Sequence, residues 1–579
     1  MRSGLCHFVF GRRRFTGFVA RLAGLGVKVA GFVSLVFLVA CGPRETAVEV
    51  ATRERTLILG NAAEPADLDP HLATTLSDQV IINALFEGLT VLDEETARPL
   101  PAAAESWEVS ADGLTWVFHL RPDLHWSNGD RLTAADFVKT WQRALSPHFA
   151  ADNAWYLFVL KNAAAYNAGQ LDEAGAIGVA APDARTLVLR LEQPAPYLPA
   201  LLSLPAWFPL HSGNLEKFGA TEQRGRPWTR PGELVSNGAY QLRAWEPNAR
   251  IVLALNPQHR DAAHSQIERL VFLPIEKPED EERAYRAGQL HVSFNLPVTK
   301  IATWRERAPE QLRVDPLLQS HFLRFNTAHP ALADPRVRRA LSLALDREQL
   351  ARSVLQASRA PAYSLVPPHS GDYSPATLIA EGSGDTPRPT APTAARAPSP
   401  TLPPQNLRAL LAEAGYADPK DFPQLELLVR ADELMPRVAE AIQAMWKTAL
   451  GIKVTISQRE QKTWVQAQQT GDYELCLSAW TADYPDPLNF LELFAADSPY
   501  NWTGWGSARY DALLAAAARS AQPEARFELL REAEALLVNE GPIAPLYFGA
   551  ETRLVSPAVK NWTPAPLGFR RFQLLRFAD

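Results

Sequence analysis

The 579-residue chain is 47% hydrophobic and 21% charged, the composition of a globular protein with a packed core rather than of a disordered chain. Its length corresponds to about three or four domains. The net charge is -6, yet residues 1–40 hold Arg2, Arg12, Arg13, Arg14, Arg21 and Lys28 and no acidic residue, so the remainder is more acidic still. Such a chain is unsuited to nucleic acid, whose phosphates are neutralised by Lys and Arg.

The first element is a basic stretch ending at Lys28, followed by an uncharged apolar run from Val29 to Ala40 and then Cys41. As a helix that run spans about 18 Å, short of the roughly 30 Å hydrocarbon core. It therefore reads as the apolar region of a signal peptide covering 1–40. Leu38-Val39-Ala40-Cys41 resembles the lipobox of bacterial lipoproteins. That resemblance implies lipid acylation of Cys41 and a membrane anchor. The alternative is an ordinary secretory signal followed by a chance cysteine. The long basic region leaves room for a true start downstream of Met1. Once Cys6 leaves with the signal and Cys41 is acylated, Cys476 has no partner within the chain, so no disulfide framework is expected.

Residues 41–55 are expected to form a polar tether. Beyond it, short β-branched and apolar runs predict strands at Thr56–Leu59, Thr115–Leu120, Thr186–Leu191, Ile251–Leu255 and Leu425–Val429. Thr133-Ala134-Ala135-Asp136 is a capping-box pattern opening a helix toward Leu145. Glu279-Asp280-Glu281-Glu282 after Pro278 reads as a solvated helix start. Asp334-Pro335 starts another helix, with Val337, Leu341 and Leu345 on one face. Leu407–Ala414 ends at Gly415, a C-cap signal. Residues 374–404 are rich in Pro, Ala, Thr and Gly and read as a surface insertion. Tyr473–Leu477 reads as a strand with Cys476 as a small core side chain. Strands interleaved with helices predict a mixed α/β (α+β) protein in several lobes.

No lysine follows a glycine, no histidine precedes a glutamate and no GxSxG occurs, so phosphate-loop, HExxH zinc and nucleophile-elbow chemistry lack their motifs. No enzyme, cofactor or metal is expected.

The positive signal is a series of motifs in a fixed order. It begins with Leu68-Asp69-Pro70-His71, Leu85-Phe86-Glu87-Gly88-Leu89, Trp116–Arg121, Trp126-Ser127-Asn128-Gly129 and Thr133–Val138. It continues with Ser236-Asn237-Gly238-Ala239-Tyr240, Asp334–Arg338, Ala344-Leu345-Asp346-Arg347 and Ala479–Tyr484. Together these resemble the oligopeptide-binding proteins of peptide ABC transporters, the bacterial extracellular solute-binding protein family 5. The resemblance implies a two-lobed, periplasmic-binding-protein-like clam of three domains with a two-strand hinge. Domain I would be discontinuous (56–86, 212–319 and 551–579), domain II would cover 87–211 and domain III 320–550, with chain crossings near Gln319 and Ala550. It also implies a monomeric protein that captures short peptides outside the cytoplasm and passes them to permease subunits.

Within that family the ligand's α-ammonium is held by the aspartate of a Trp-x-x-Asp-Tyr segment, which is Asp483 here. Trp480, Thr481, Ala482 and Tyr484 would line the same place. A turn is the plainer reading of Ala482–Pro487. Further implied ligand positions are Asn501, Trp502, Trp505, Asn295, Phe322 and Thr74; core packing is an equal reading for Trp505. Pocket charges of well-known oligopeptide binders are missing at Thr74, Gln468 and Leu477, which leaves any carboxylate clamp to another cation such as Arg324. Binding of dipeptides or another small solute such as a nickel complex, and a sensory receptor or enzyme on the same fold, remain open at this point.

Overall fold

A computed structural model describes residues 45–368, 370–375, 403–520 and 522–578. The signal segment, Cys41 and nearly all of the 374–404 insertion lie outside the described residues.

Three larger sheets carry the chain, and the fold is mixed α/β. The first orders its strands Thr56–Gly60, Arg269–Leu273, Arg250–Leu255 and Tyr240–Glu246, the first pair parallel and the others antiparallel. Leu57, Leu59, Leu253, Leu270 and Phe272 form its buried side. The second sheet is antiparallel throughout: Ala104–Val109, Thr115–Leu120, Thr186–Arg190 and Val179–Ala180. Period-two alternation sends Trp116, Phe118 and Leu120 inward, where they share a core with Phe137 and Trp141 of helix Ala134–Leu145. That helix opens as the capping pattern predicts: Asp136 Oδ2 accepts from the Thr133 N–H at 2.8 Å.

The third sheet orders Val454–Arg459, Leu425–Arg430, Leu475–Thr481, Leu312–Phe325 and Ile543–Leu554. Its last two strands are long and antiparallel. They pair from Leu312/Leu554 to Pro316/Ala550, lose register, and resume from Ser320/Phe548 to Arg324/Ile543. At one end Leu312 and Leu554 pack with Tyr285, Leu290 and Ile301; at the other Leu323 and Ala544 enter the core of the third sheet. A Cβ on Gly549, inside the break, would lie 2.3 Å from Gln319 Oε1. Cys476 is buried in strand Leu475–Thr481, and burial pushes its thiol up to about 12.

Two motifs of the series serve packing, the first between units and the second within one. Asp69 forms a buried ion pair with Arg143 at 2.7 Å, and the ring of His71 lies 2.8 Å from the same guanidinium. Burial, then Arg143, lowers the His71 pKa to about 3. Gly238 is needed for close approach: its N–H donates to Leu85 O, and an added Cβ would sit 2.4 Å from the Leu85 carbonyl carbon.

Two expectations are corrected. Within 41–55, expected as a polar tether, Ala47–Arg53 is a helix opened by a Thr46/Glu49 capping box. It is docked through Val48 N–H to Gly288 O. The T-x-x-E signature was present in the sequence, but the polar composition outweighed it. The acidic run is not all solvated either. Within helix Pro278–Arg286, Glu281 is buried and accepts the N–H groups of Phe294 (2.8 Å) and Asn295 (3.0 Å). Burial raises its carboxyl to about 7.

Candidate functional site

Strand Leu475–Thr481 brings the site together. Its partner Leu425–Arg430 pairs with it only at Leu475 and Cys476. On the other side, strand Leu312–Phe325 pairs from Leu475 through Thr481. Residues 477–481 therefore keep one edge without a ladder partner among the described residues, about 17 Å of strand at roughly 3.3 Å per residue. Leu477 and Ser478 are buried, so the accessible part of this edge is 479–481, a template for another extended chain.

The strand ends in a turn that carries Asp483. Ala482 N–H donates to Leu318 O at 2.7 Å, tying the turn to the long strand. Asp483 Oδ1 accepts from the Tyr156 hydroxyl at 2.6 Å, and Asp483 Oδ2 accepts from Asn489 Nδ2 at 3.4 Å. Both donors are neutral, and no ion pair to Asp483 occurs among the described residues. Burial raises its pKa, and the bonds from Tyr156 and Asn489 only partly oppose that. Asp483 is half-buried, and a carboxylate so placed with no counter-charge can receive a cation.

Tyr156 belongs to the second sheet's unit, so this hydrogen bond spans two units of the fold. Tyr484 makes a second span: it packs into the second sheet's core and stacks on Tyr197, ring centroids 4.8 Å apart. A third segment joins at Asn153, whose Nδ2 donates to Ala73 O at 2.7 Å, beside exposed Thr74. Thr74, Trp480, Thr481, Ala482, Asp483 and Tyr484 are thus gathered around one junction. Trp480 is half-buried, bonds Asn489 Oδ1 through Nε1 at 3.0 Å, and meets Tyr500 edge-on. Thr481 is exposed and accepts from Gln319 Nε2 at 2.7 Å.

The other candidates separate from this group. Asn501 spends its amide on its own loop, donating to Phe494 O, Ala495 O and Trp505 O and accepting from Thr503. Trp505 and Phe322 are core residues of one cluster, Trp505 held by Glu540 at 2.7 Å. Asn295 is exposed, with its main chain bound to Glu281. Trp502 is half-buried and lies over Arg324, 4.9 Å from ring centroid to guanidinium. Leu477 is a core side chain, and Gln468 is buried with its Oε1 accepting from Ser478. Arg324 is 4% exposed, bonds Tyr500 O at 3.2 Å and has no carboxylate partner among the described residues. Sequence reasoning missed Tyr156 and Asn489, which hold the key carboxylate. Tyr156 carried no local motif, and Asn489 lies in a short apolar helical turn, Leu488–Leu491.

The profile of the bacterial extracellular solute-binding proteins, family 5 (middle), matches residues 98–502. The chain belongs to this family. Among curated relatives, a probable deoxycholate-binding periplasmic protein, YgiS of Escherichia coli (strain K12), is 35% identical, with 86% of this chain and 89% of that protein covered. The periplasmic oligopeptide-binding protein OppA of Salmonella typhimurium is 34% identical, with 89% and 91% covered. Among solved structures, the unliganded open form of the periplasmic murein tripeptide-binding protein MppA superposes with a TM-score of 0.78 at 30% identity, covering 92% of this chain and 99% of that one.

Proposed function

We propose that this family 5 protein captures short peptides outside the cytoplasm and hands them to the permease of an ABC transporter. The observation that carries the reading is Asp483: a carboxylate with neutral partners only, at the junction of two units, beside an open strand edge. An α-ammonium would supply its missing counter-charge. The peptide main chain would pair along 479–481, which leaves side-chain identity largely free. Trp480 and Tyr484 would wall the ammonium, while Thr481 would present its main chain.

Domain I (56–86, 212–319 and 551–579), domain II (87–211) and domain III (320–550) would move as a two-lobed clam. The register break between Pro316/Ala550 and Ser320/Phe548 supports a hinge in the two long strands. A ligand touching both lobes would favour closure. The Tyr156–Asp483 contact is where closure and binding would be linked.

A bile-acid ligand, as the name of YgiS states for that relative, fits poorly. Its carboxylate would meet Asp483 rather than a free cation. The protein would act without catalysis, as a monomer held at the membrane by acylated Cys41; uptake of labelled lipid by a Cys41→Ser chain would remove the anchor from this reading. Native mass spectrometry of freshly purified protein is expected to find bound peptides with free amino termini. A single non-peptide solute at full occupancy would refute the peptide reading.

A further inference from the structure

A cavity of about 790 Å³ is lined by Tyr484, the residue after Asp483, and is walled by the second sheet's unit on one side and by the segment 484–526 on the other. Tyr156 connects the two places: its hydroxyl bonds Asp483 and its ring lines the cavity. The walls are aromatic. Trp155 stacks on Tyr156 with centroids 3.7 Å apart, and Tyr197 stacks on Tyr484. Leu488, Leu514 and Ala515 add apolar surface.

The charged lining is one-sided. Glu492 opens into the cavity, and among the described residues the one hydrogen bond to its carboxylate is from the Tyr484 hydroxyl, at 3.5 Å. Glu192, Asp497 and Asp511 stand around it. Among the described residues Arg526 is the one cation of the lining, and it is already committed to Asp486 through two bonds of 2.8 Å. The Glu492 side chain is exposed to the open cavity, and the surrounding protein, then Asp486 and Asp483, push its carboxyl up to about 7, against the lowering pull of Tyr484 and Arg526. Carboxylates among aromatic rings, with apolar surface for a methylene stem, are the surroundings a lysine or arginine side chain requires.

We infer that this cavity selects peptides whose first residue is basic, receiving the lysine or arginine side chain while Asp483 holds the α-ammonium of the same residue. The inference rests on the peptide reading of the site. Both cations branch from one Cα, and Tyr156 sits between their two receptors. An acidic first side chain would face Glu492, Glu192, Asp497 and Asp511 with no free cation among them. A neutral one of equal length would gain the apolar contacts but lose the ionic ones.

The decisive test uses wild-type protein and two isosteric peptides, Lys-Ala-Ala and 2-aminoheptanoyl-Ala-Ala, compared by calorimetry. The lysine peptide is expected to bind at least tenfold more tightly, with the advantage shrinking as salt rises. In Glu492→Gln the ratio of the two affinities should fall to within about threefold. Binding of both peptides with equal affinity by wild type would overturn the inference and leave the peptide reading standing. Binding of neither, nor of Ala-Ala-Ala, would overturn the peptide reading and this inference with it.

Discussion

One turn of the chain carries two carboxylates with opposite circumstances. Asp486 is 7% exposed and grips Arg526 of helix Pro523–Glu540 through two parallel bonds of 2.8 Å, with the Leu488 N–H as a further donor. Asp483, three residues earlier, has a phenol and an amide for partners and no cation. The first is complete within the fold, so its removal should be felt by stability. The second is complete only when something positive arrives, so its removal should be felt by binding. Burial alone does not separate a structural carboxylate from a functional one; the presence or absence of a built-in counter-charge does.

The comparison can be broken most forcefully by unfolding measurements. Asp486→Ala leaves Arg526 buried without its partner and is expected to cost about 3–5 kcal/mol in denaturant unfolding. Asp483→Ala removes a carboxylate that the fold disfavours, and its unfolding free energy should change by less than about 1 kcal/mol. If the two losses were reversed, the two roles would be reversed with them.

A smaller effect concerns the phenol. Tyr156→Phe deletes a hydrogen bond to a charged acceptor, worth about 1–2 kcal/mol. Peptide affinity is expected to drop by about 5- to 30-fold, read by calorimetry. Unchanged affinity would mean that Tyr156 only fills space.

The smallest effect is in pH dependence. Burial raises the Asp483 pKa, and Glu492 is raised to about 7. A carboxyl whose folded pKa lies above its unfolded value binds protons more tightly when folded. Its stabilising contribution is full below the ordinary carboxyl range and is lost as pH rises, for Glu492 through about 7. Ligand-free protein should lose a little melting temperature over that window. A cationic peptide needs the ionised forms, so the thermal shift it produces should grow over the same window. A shift that shrinks with rising pH would contradict the assignment of these groups.

Much of the fold was legible because local rules and tertiary context agree. Strand Thr115–Leu120 alternates cleanly, and Asp334 caps helix Pro335–Leu343 by accepting from Arg336 N–H. Asp483 was legible through the family motif, but its surroundings were not. Tyr156 lies 327 positions away along the chain, and only the meeting of two units puts its hydroxyl on the carboxylate. The loop of Asn501 shows a related limit: a polar residue before two tryptophans suits a ligand wall, and the sequence does not show that local carbonyls take up its amide. Composition likewise could not show that the 41–55 segment contains a docked helix, since Thr52 Oγ1 reaches the ring of His291, 239 positions on, at 3.0 Å.

The central claim is that Asp483 receives the amino terminus of a peptide. It is tested most directly by titrating wild type and Asp483→Ala with one peptide in free and N-acetylated form. Wild type should prefer the free peptide by about 2–4 kcal/mol, roughly 30- to 1,000-fold, and the variant should lose that preference. Equal affinity of wild type for both forms, or a preference that survives in the variant, would contradict the account.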